Sequence, residues 1–302
     1  MPLRPVNPVP AGILCVIGGA EDRTGSRVVL RDFVRLAGGE GCRIAVVATA
    51  SSLGQEILDS YDVVFRELGA GDVLRLRPES RADANDPALA ARLGDVDAVF
   101  MTGGNQLKLT QVVGGTAFGE AVRAAYLRGA VVGGTSAGAS AVSEHMIAFG
   151  DESDTPRQGV TASAAGLGLL PDVIVDQHFD QRGRYGRLMS LVANSPNLLG
   201  IGIDENTAVE IRDDRVMTIV GTGGVFVIDA RNAVTDAPDA RRGAPLLVSG
   251  AVVHSLPTGA TFDLRSVTLT RFVERHPDIE VAVASAKDRA APTLAPARRA
   301  ET

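Results

Sequence analysis

Ala130-Val131-Val132-Gly133-Gly134-Thr135-Ser136-Ala137-Gly138-Ala139-Ser140 carries the strongest local signal in the chain. An apolar strand runs into small residues around one serine, and a small-residue helix start follows. A sharp strand-to-helix turn crowds its neighbours, so the positions two before and two after the serine must be small. Gly134 and Gly138 meet that need, giving the general G-x-S-x-G form. Such a turn leaves Ser136 exposed at the carboxyl end of the sheet. It also puts the Ala137 N–H at a helix N-terminus, where it can stabilise an oxyanion. The plain alternative is a tight turn in a chain with 34 glycines. The strand before and the helix after favour a nucleophile.

Working outward, Ile13 to Ile17, Arg43 to Ala48, Val73 to Leu76, Ala98 to Met101 and Ala130 to Val132 are short apolar runs. Ser26 to Leu36, Leu53 to Leu68, Ala88 to Leu93 and Phe118 to Leu127 lie between them with helical spacing. This alternation predicts an α/β fold: a mostly parallel central sheet with helices on both faces. Beyond residue 195 the texture changes. Ala208 to Arg212 and Val216 to Val220 flank Asp213-Asp214 and read as a hairpin, with further strands at Val225 to Ile228 and Gly250 to His254. An antiparallel extension of the same sheet is expected in the C-terminal third. Residues 231–246 read as an exposed loop. The expected organisation is one α/β domain over 1–284 and a flexible tail over 285–302.

Composition narrows the function. The 302 residues are 45% hydrophobic, enough for a large core. The formal net charge of −6 argues against nucleic acid, whose phosphates call for a basic surface. No run of 18 or more uncharged apolar residues offers a membrane span, and no apolar signal core precedes the first strand. Cys15 and Cys42 sit in or beside apolar runs and read as buried free thiols, which suits a reducing, cytoplasmic setting.

A serine nucleophile needs a base and an acid. Of His145, His178, His254 and His276, only His178 directly follows an apolar strand, Val173-Ile174-Val175-Asp176-Gln177. There it can reach the same rim as Ser136. His145 is expected at the far end of the elbow helix. Asp204 and Glu205 end another apolar strand and are candidates for the acid, with Asp151 and Glu152 as rivals.

Five blocks in order, VIGGAED at 16–22, MTGGNQLKL at 101–109, GGTSAGAS at 133–140, DQHFDQRGRYGRL at 176–188 and GIGIDENTA at 200–208, resemble the cyanophycinase family. Those enzymes are peptidase E-like serine peptidases with a fold similar to class I glutamine amidotransferases. The resemblance implies Ser136 as nucleophile, His178 as base and Glu205 as acid. It places Gln106, Asp176, Gln177, Arg182, Arg184 and Arg187 in the substrate pocket. It implies a homodimer that hydrolyses cyanophycin, poly-aspartate with Arg on each β-carboxyl, to β-Asp-Arg dipeptides. In the broader peptidase E group an acid near Asp151 or Glu152 has also been assigned to the triad.

The residues themselves agree with that substrate class. Arg182, Arg184 and Arg187 follow the base closely, and guanidinium groups grip carboxylates with paired hydrogen bonds. Asp176 and nearby acids are candidates to hold a substrate guanidinium. Gly103-Gly104 closes another strand, and the Gly104 N–H is assigned to the oxyanion hole with Ala137. Gly18-Gly19 reads as a plain turn. This chemistry calls for no metal and no other cofactor. Two alternatives stay open: a related aspartyl or isoaspartyl dipeptidase, and a non-catalytic binding protein of the same fold.

Overall fold

The computed structural model describes residues 12–275 and 280–283; the tail expected over 285–302 and His276 lie outside them. The first half follows the predicted alternation. Strands β1 (Ile13–Ile17), β2 (Arg43–Val47), β3 (Asp72–Leu76), β4 (Ala98–Met101) and β5 (Val131–Thr135) are separated by helices. These are α1 (Val28–Leu36), α2 (Gln55–Glu67), α3 (Arg81–Ala84), α4 (Pro87–Ala91), α5 (Gln106–Val113) and α6 (Ala117–Leu127). β3, β2, β4, β5 and β1 lie side by side and all parallel. Every residue of β4 and β5 is buried, as continuous apolar runs require when both faces are covered.

The elbow helix α7 (Ala137–Ala141) is a single short turn of helix. His145 therefore does not end it; it opens β6 (His145–Gly150), which forms a hairpin with β7 (Thr161–Ala165). Further on come β8 (Val173–Gln177), α8 (Tyr185–Asn194), β9 (Leu199–Ile203), β10 (Thr207–Arg212), β11 (Val216–Gly221) and β12 (Gly224–Asp229). β13 (Val234–Thr235) and β14 (Val248–Ser249) form a small hairpin at the ends of the 231–246 loop. β15 (Val252–Pro257), β16 (Ala260–Asp263), β17 (Thr268–Arg275) and β18 (Glu280–Val283) complete the order.

The antiparallel extension exists, and it is divided between two sheets. β10, β11, β16, β17 and β18 continue the central sheet beyond β1 to make ten strands. β8 and β9 are parallel to each other but belong to a separate four-stranded sheet, ordered β15-β12-β9-β8. The expected strand at Val225 to Ile228 is in this second sheet too. Sequence periodicity reports which residues are buried, and it carries no record of which sheet buries them. Val173, Val175, Ile201, Ile203, Val225 and Val227 pack into the same apolar core as Val16, Val99 and Val132, so the two sheets share one interior.

Glu210 on β10 is buried beside β1, opposite Cys15, and pairs with Arg35 at 3.1 Å and Arg212 at 3.3 Å. Burial and the neighbouring Asp32 carboxylate push it up to about 7 from 4.5. The folded state thus keeps a proton that the unfolded chain releases above 4.5. The stability this supplies is complete below that value and is lost as pH rises through about 7. Urea midpoints measured from pH 5 to pH 8 should fall in the wild type. They should fall less in Glu210→Gln; equal slopes in the two proteins would remove Glu210 from the titration.

Candidate active site

Ser136 stands where β5 gives way to α7, with φ 51° and ψ −106°. This strained backbone costs about 1–3 kcal/mol and persists only where the surroundings fix it. They do so by crowding. A β-carbon on Gly134 would lie 2.4 Å from the Met101 carbonyl oxygen, and one on Gly138 2.3 Å from the same atom. Glycine is thus required on both sides of the serine because β4 runs past at backbone distance.

His178 follows β8, and its φ of 48° turns the imidazole back toward the elbow. The Ser136 Oγ lies 2.9 Å from His178 Nε2, and His178 Nδ1 lies 2.6 Å from Glu205 Oε1. The parallel register pairs Gln177 with Ile203, so the residues after the two strands meet. Of the two acids at that corner, only Glu205 faces the ring. Asp204 is buried and accepts the N–H groups of Asp180 at 3.1 Å and Gly224 at 2.9 Å. The Glu205 N–H donates to Gln181 Oε1 at 2.9 Å. Glu152 is occupied elsewhere, 3.2 Å from an Arg184 nitrogen and 3.9 Å from Arg182.

Burial holds the His178 imidazole below its ordinary value of 6.5, and Arg182 and Arg184 add to that effect. The hydrogen bond that the ring donates to Glu205 opposes it. The ring is therefore neutral at neutral pH and free to accept a proton at Nε2. Gly103 approaches the elbow closely enough that a β-carbon on it would lie 3.5 Å from Ser136 Cβ. Gly104, at φ 138°, is pressed against Ala50, where a β-carbon would lie 2.1 Å from the carbonyl oxygen. The Ala137 N–H, at the first position of α7, has no intrahelical acceptor.

The predicted pocket residues fall into two groups. Asp176 is fully buried. Arg187 forks onto it, with Nε 2.6 Å from Oδ2 and a second, short bond to Oδ1. Arg184 lies 3.4 Å from the same Oδ1, 2.5 Å from the Gln177 carbonyl and 3.2 Å from Glu152. Burial draws the Arg184 guanidinium below its usual range; Asp176 opposes this, and Arg187 and Arg182 reinforce it. Gln177 is buried and accepts from Ser140 Oγ at 3.0 Å. The carboxylate expected to face a substrate guanidinium is thus enclosed by the chain's own guanidiniums. Nothing in the local sequence separates an inward fork from an outward one. Arg182 and Gln106 form the accessible group. Arg182 has a side chain 45% exposed beyond the base. Gln106 opens α5 and donates to the carbonyls of Ile147 at 3.0 Å and Ala148 at 3.2 Å.

A strained serine at a strand-to-helix elbow, bonded to a neutral imidazole that is bonded to a carboxylate, is the arrangement of a serine hydrolase on an α/β sheet. Residues 14–219 match the sequence pattern of Peptidase family S51, and the chain belongs to that family. It is 38% identical over 262 residues to a cyanophycinase of Trichormus variabilis, covering 86% of this chain and 88% of that one. To a cyanophycinase of Synechococcus elongatus it is 36% identical over 257 residues, covering 84% and 80%. The crystal structure of a peptidase from an acI-B1 Actinobacterium shares the fold, with a TM-score of 0.61, 18% identity and coverage of 85% and 98%. Among the described residues no helix is long and apolar enough to cross a membrane.

Gly18 and Gly19, read from sequence as a plain turn, lie against the catalytic-looking groups. A β-carbon on Gly19 would sit 2.3 Å from His178 Cε1. Two glycines directly after a buried strand were the available signal.

Removing one partner of a buried ion pair costs about 3–5 kcal/mol because the other charge is left unpaired. Asp176→Asn should therefore lower the urea midpoint sharply. Arg182→Lys, at an exposed position, should leave it nearly unchanged. Equal midpoints for Asp176→Asn and wild type would contradict a structural role for the fork.

Proposed function

We propose that this protein is a serine exopeptidase that hydrolyses cyanophycin to β-Asp-Arg dipeptides through an acyl-enzyme. The observation that carries the reading is the linear Ser136–His178–Glu205 hydrogen-bond chain, at 2.9 and 2.6 Å, in a member of Peptidase family S51. The relatives that bear the name cyanophycinase support the substrate.

In this reading His178 Nε2 takes the Ser136 proton as Oγ attacks a backbone carbonyl carbon of the poly-aspartate chain. The N–H groups of Ala137 and Gly104 hold the resulting oxyanion. Glu205 keeps the Nδ1 tautomer and stabilises the imidazolium. The C–N bond then breaks, and the leaving amine takes the proton from Nε2. Water next attacks the Ser136 ester and gives its proton to His178. Hydrolysis frees the carboxylate, and Oγ recovers its proton.

Among the pocket residues, Arg182 offers the accessible guanidinium for an α-carboxylate that each Arg unit of the polymer presents. Gln106 supplies a polar contact at the start of α5. Asp176, Gln177, Arg184 and Arg187 shape the pocket from behind as a buried network. We read the described residues as one working domain that acts as a homodimer in the cytoplasm. The two buried free thiols, Cys15 and Cys42, suit a reducing compartment.

The test is incubation with insoluble cyanophycin, followed by mass analysis of the soluble products. Wild type should release β-Asp-Arg. Ser136→Ala should fold normally and lose activity on the order of 10⁶-fold. Glu205→Gln should lose on the order of 10⁴-fold in turnover with little change in KM. Dipeptide release by Ser136→Ala near the wild-type rate would sink the assignment.

The rate also has a predictable pH dependence. Because burial lowers the His178 value, the acid limb of kcat/KM should have its midpoint below pH 6.5. A limb well above 6.5 would mean that another group is titrating.

A further inference from the structure

We infer that the turn Ile17–Glu21 is the positioning element that assembles the three catalytic groups. This inference rests on the Ser136–His178–Glu205 reading above. Three consecutive carbonyl oxygens of the turn each accept one backbone N–H. That of Ile17 takes the Ser136 N–H at 3.0 Å, that of Gly18 the His178 N–H at 2.7 Å and that of Gly19 the Asn206 N–H at 2.9 Å. Asn206 directly follows Glu205. The nucleophile, the base and the segment carrying the acid come from three separate parts of the chain. One three-residue stretch ties all of them at backbone level.

The ties run in both directions. The Gly18 N–H donates to the Thr207 carbonyl at 2.9 Å, and the Asp22 N–H to Asn206 Oδ1 at 3.0 Å. Side chains are excluded at its two glycines. A β-carbon on Gly18 would lie 2.0 Å from the Asp204 carbonyl oxygen. A β-carbon on Gly19 would lie 2.3 Å from His178 Cε1 and 2.5 Å from Nε2. The bare Gly19 backbone therefore packs on the imidazole and limits the ring's rotation. That rotation aims Nε2 at Ser136 and Nδ1 at Glu205. Gly19 also has a φ of 103°, a conformation that side-chain-bearing residues rarely adopt.

Glu21 locks the end of the turn. It is buried and accepts short hydrogen bonds from Thr135 Oγ1 and Tyr61 Oη. Thr135 is the residue before the nucleophile, so one carboxylate joins the turn to the elbow from below. No step of the proposed reaction uses Glu21, and a buried carboxylate is costly to keep without such a task. Gly18, Gly19 and Glu21 are positioning residues that act through the groups they hold.

A turn that merely stabilised the fold would change the melting temperature and leave the kinetic split untouched. The test compares Gly19→Ala and Glu21→Gln with wild type in the full chain. Folding is followed by circular dichroism, and kcat and KM are measured on cyanophycin. The low-field proton NMR signal of His178 Nδ1–H reports its bond to Glu205. Gly19→Ala should fold, lose about 100-fold in kcat, as displacement by about an ångström can produce, hold KM within about threefold, and shift or lose the low-field signal. Glu21→Gln should lose about tenfold in kcat at unchanged KM, the effect of one charge-assisted hydrogen bond.

A folded Gly19→Ala protein with wild-type kcat and an unmoved signal overturns the inference. Should Gly19→Ala not fold, Glu21→Gln decides. A lowered melting temperature with wild-type kcat below the transition then overturns it. Ser136→Ala separates the two claims. If that variant stays active, the triad reading fails. If it is inactive while both turn variants match wild type, only the positioning role fails.

Discussion

The rest of the site depends on how closely β4 and β1 approach β5 where it ends. Backbone runs so near on both sides that Gly133, Gly134 and Gly138 have no room for a methyl group. On Gly133 it would fall 2.0 Å from the Cys15 carbonyl oxygen; on the other two it would meet the Met101 carbonyl. Under that pressure the chain turns through a backbone conformation that Ser136 would not choose alone. Interiors this closely packed do not deform gradually. The turn is therefore stiff, and Oγ is held at one point above the sheet edge. Under the proposed function a stiff nucleophile is useful only if the base is fixed just as firmly, which makes the placement of His178 the next constraint.

That placement is a matter of two sheets meeting. β8 and β9 lie in the four-stranded sheet, yet their carboxyl ends arrive at the carboxyl end of β5 and β1. Parallel pairing brings the residue after β8 beside the corner after β9, so one register places both the imidazole and its carboxylate. Asp204 anchors the corner through two backbone N–H groups, which leaves Glu205 to face the ring. The electrostatics follow from depth. Burial and two nearby guanidiniums make the imidazole resist protonation, and its hydrogen bond to Glu205 opposes them.

Much of this was legible in residue order. The elbow announces itself because crowding leaves room only for glycine two residues before and two residues after the serine, a requirement written in the sequence. His178 was legible because it directly follows a buried strand, and strand ends of one polarity gather at one rim. The corner after β9 was legible in the same way, but strand order alone left Asp204 and Glu205 as alternatives, and the choice of Glu205 came from the family resemblance. The division into two sheets was not legible, since Val175 and Val16 are equally buried and equally apolar whichever sheet holds them. The fate of Asp176 was hidden for a related reason. Spacing puts Arg184 and Arg187 near it, but only packing decides that their guanidiniums turn inward and close around it. Gly18-Gly19 was visible as a turn, and its hydrogen bonds to two distant segments were not, because they involve backbone atoms that every residue possesses.

The buried guanidiniums have a consequence for the pocket. Arg187 and Arg184 share one carboxylate with Glu152 at the outer edge, so two cations face one fully buried anion and one exposed anion. Such a network is balanced in charge but rigid in geometry, since each guanidinium is planar and held by two or more acceptors. Arg182 lies outside it, weakly tied to Glu152 at 3.9 Å and open to solvent. A substrate carboxylate arriving beside the base would meet a cation that loses little on being reoriented. The buried network behind it is bonded to Asp176 and Gln177, the last two residues of β8, directly before His178. In the proposed reading, this separation would let the Arg182 side chain follow the substrate while the Ser136–His178–Glu205 distances stay fixed.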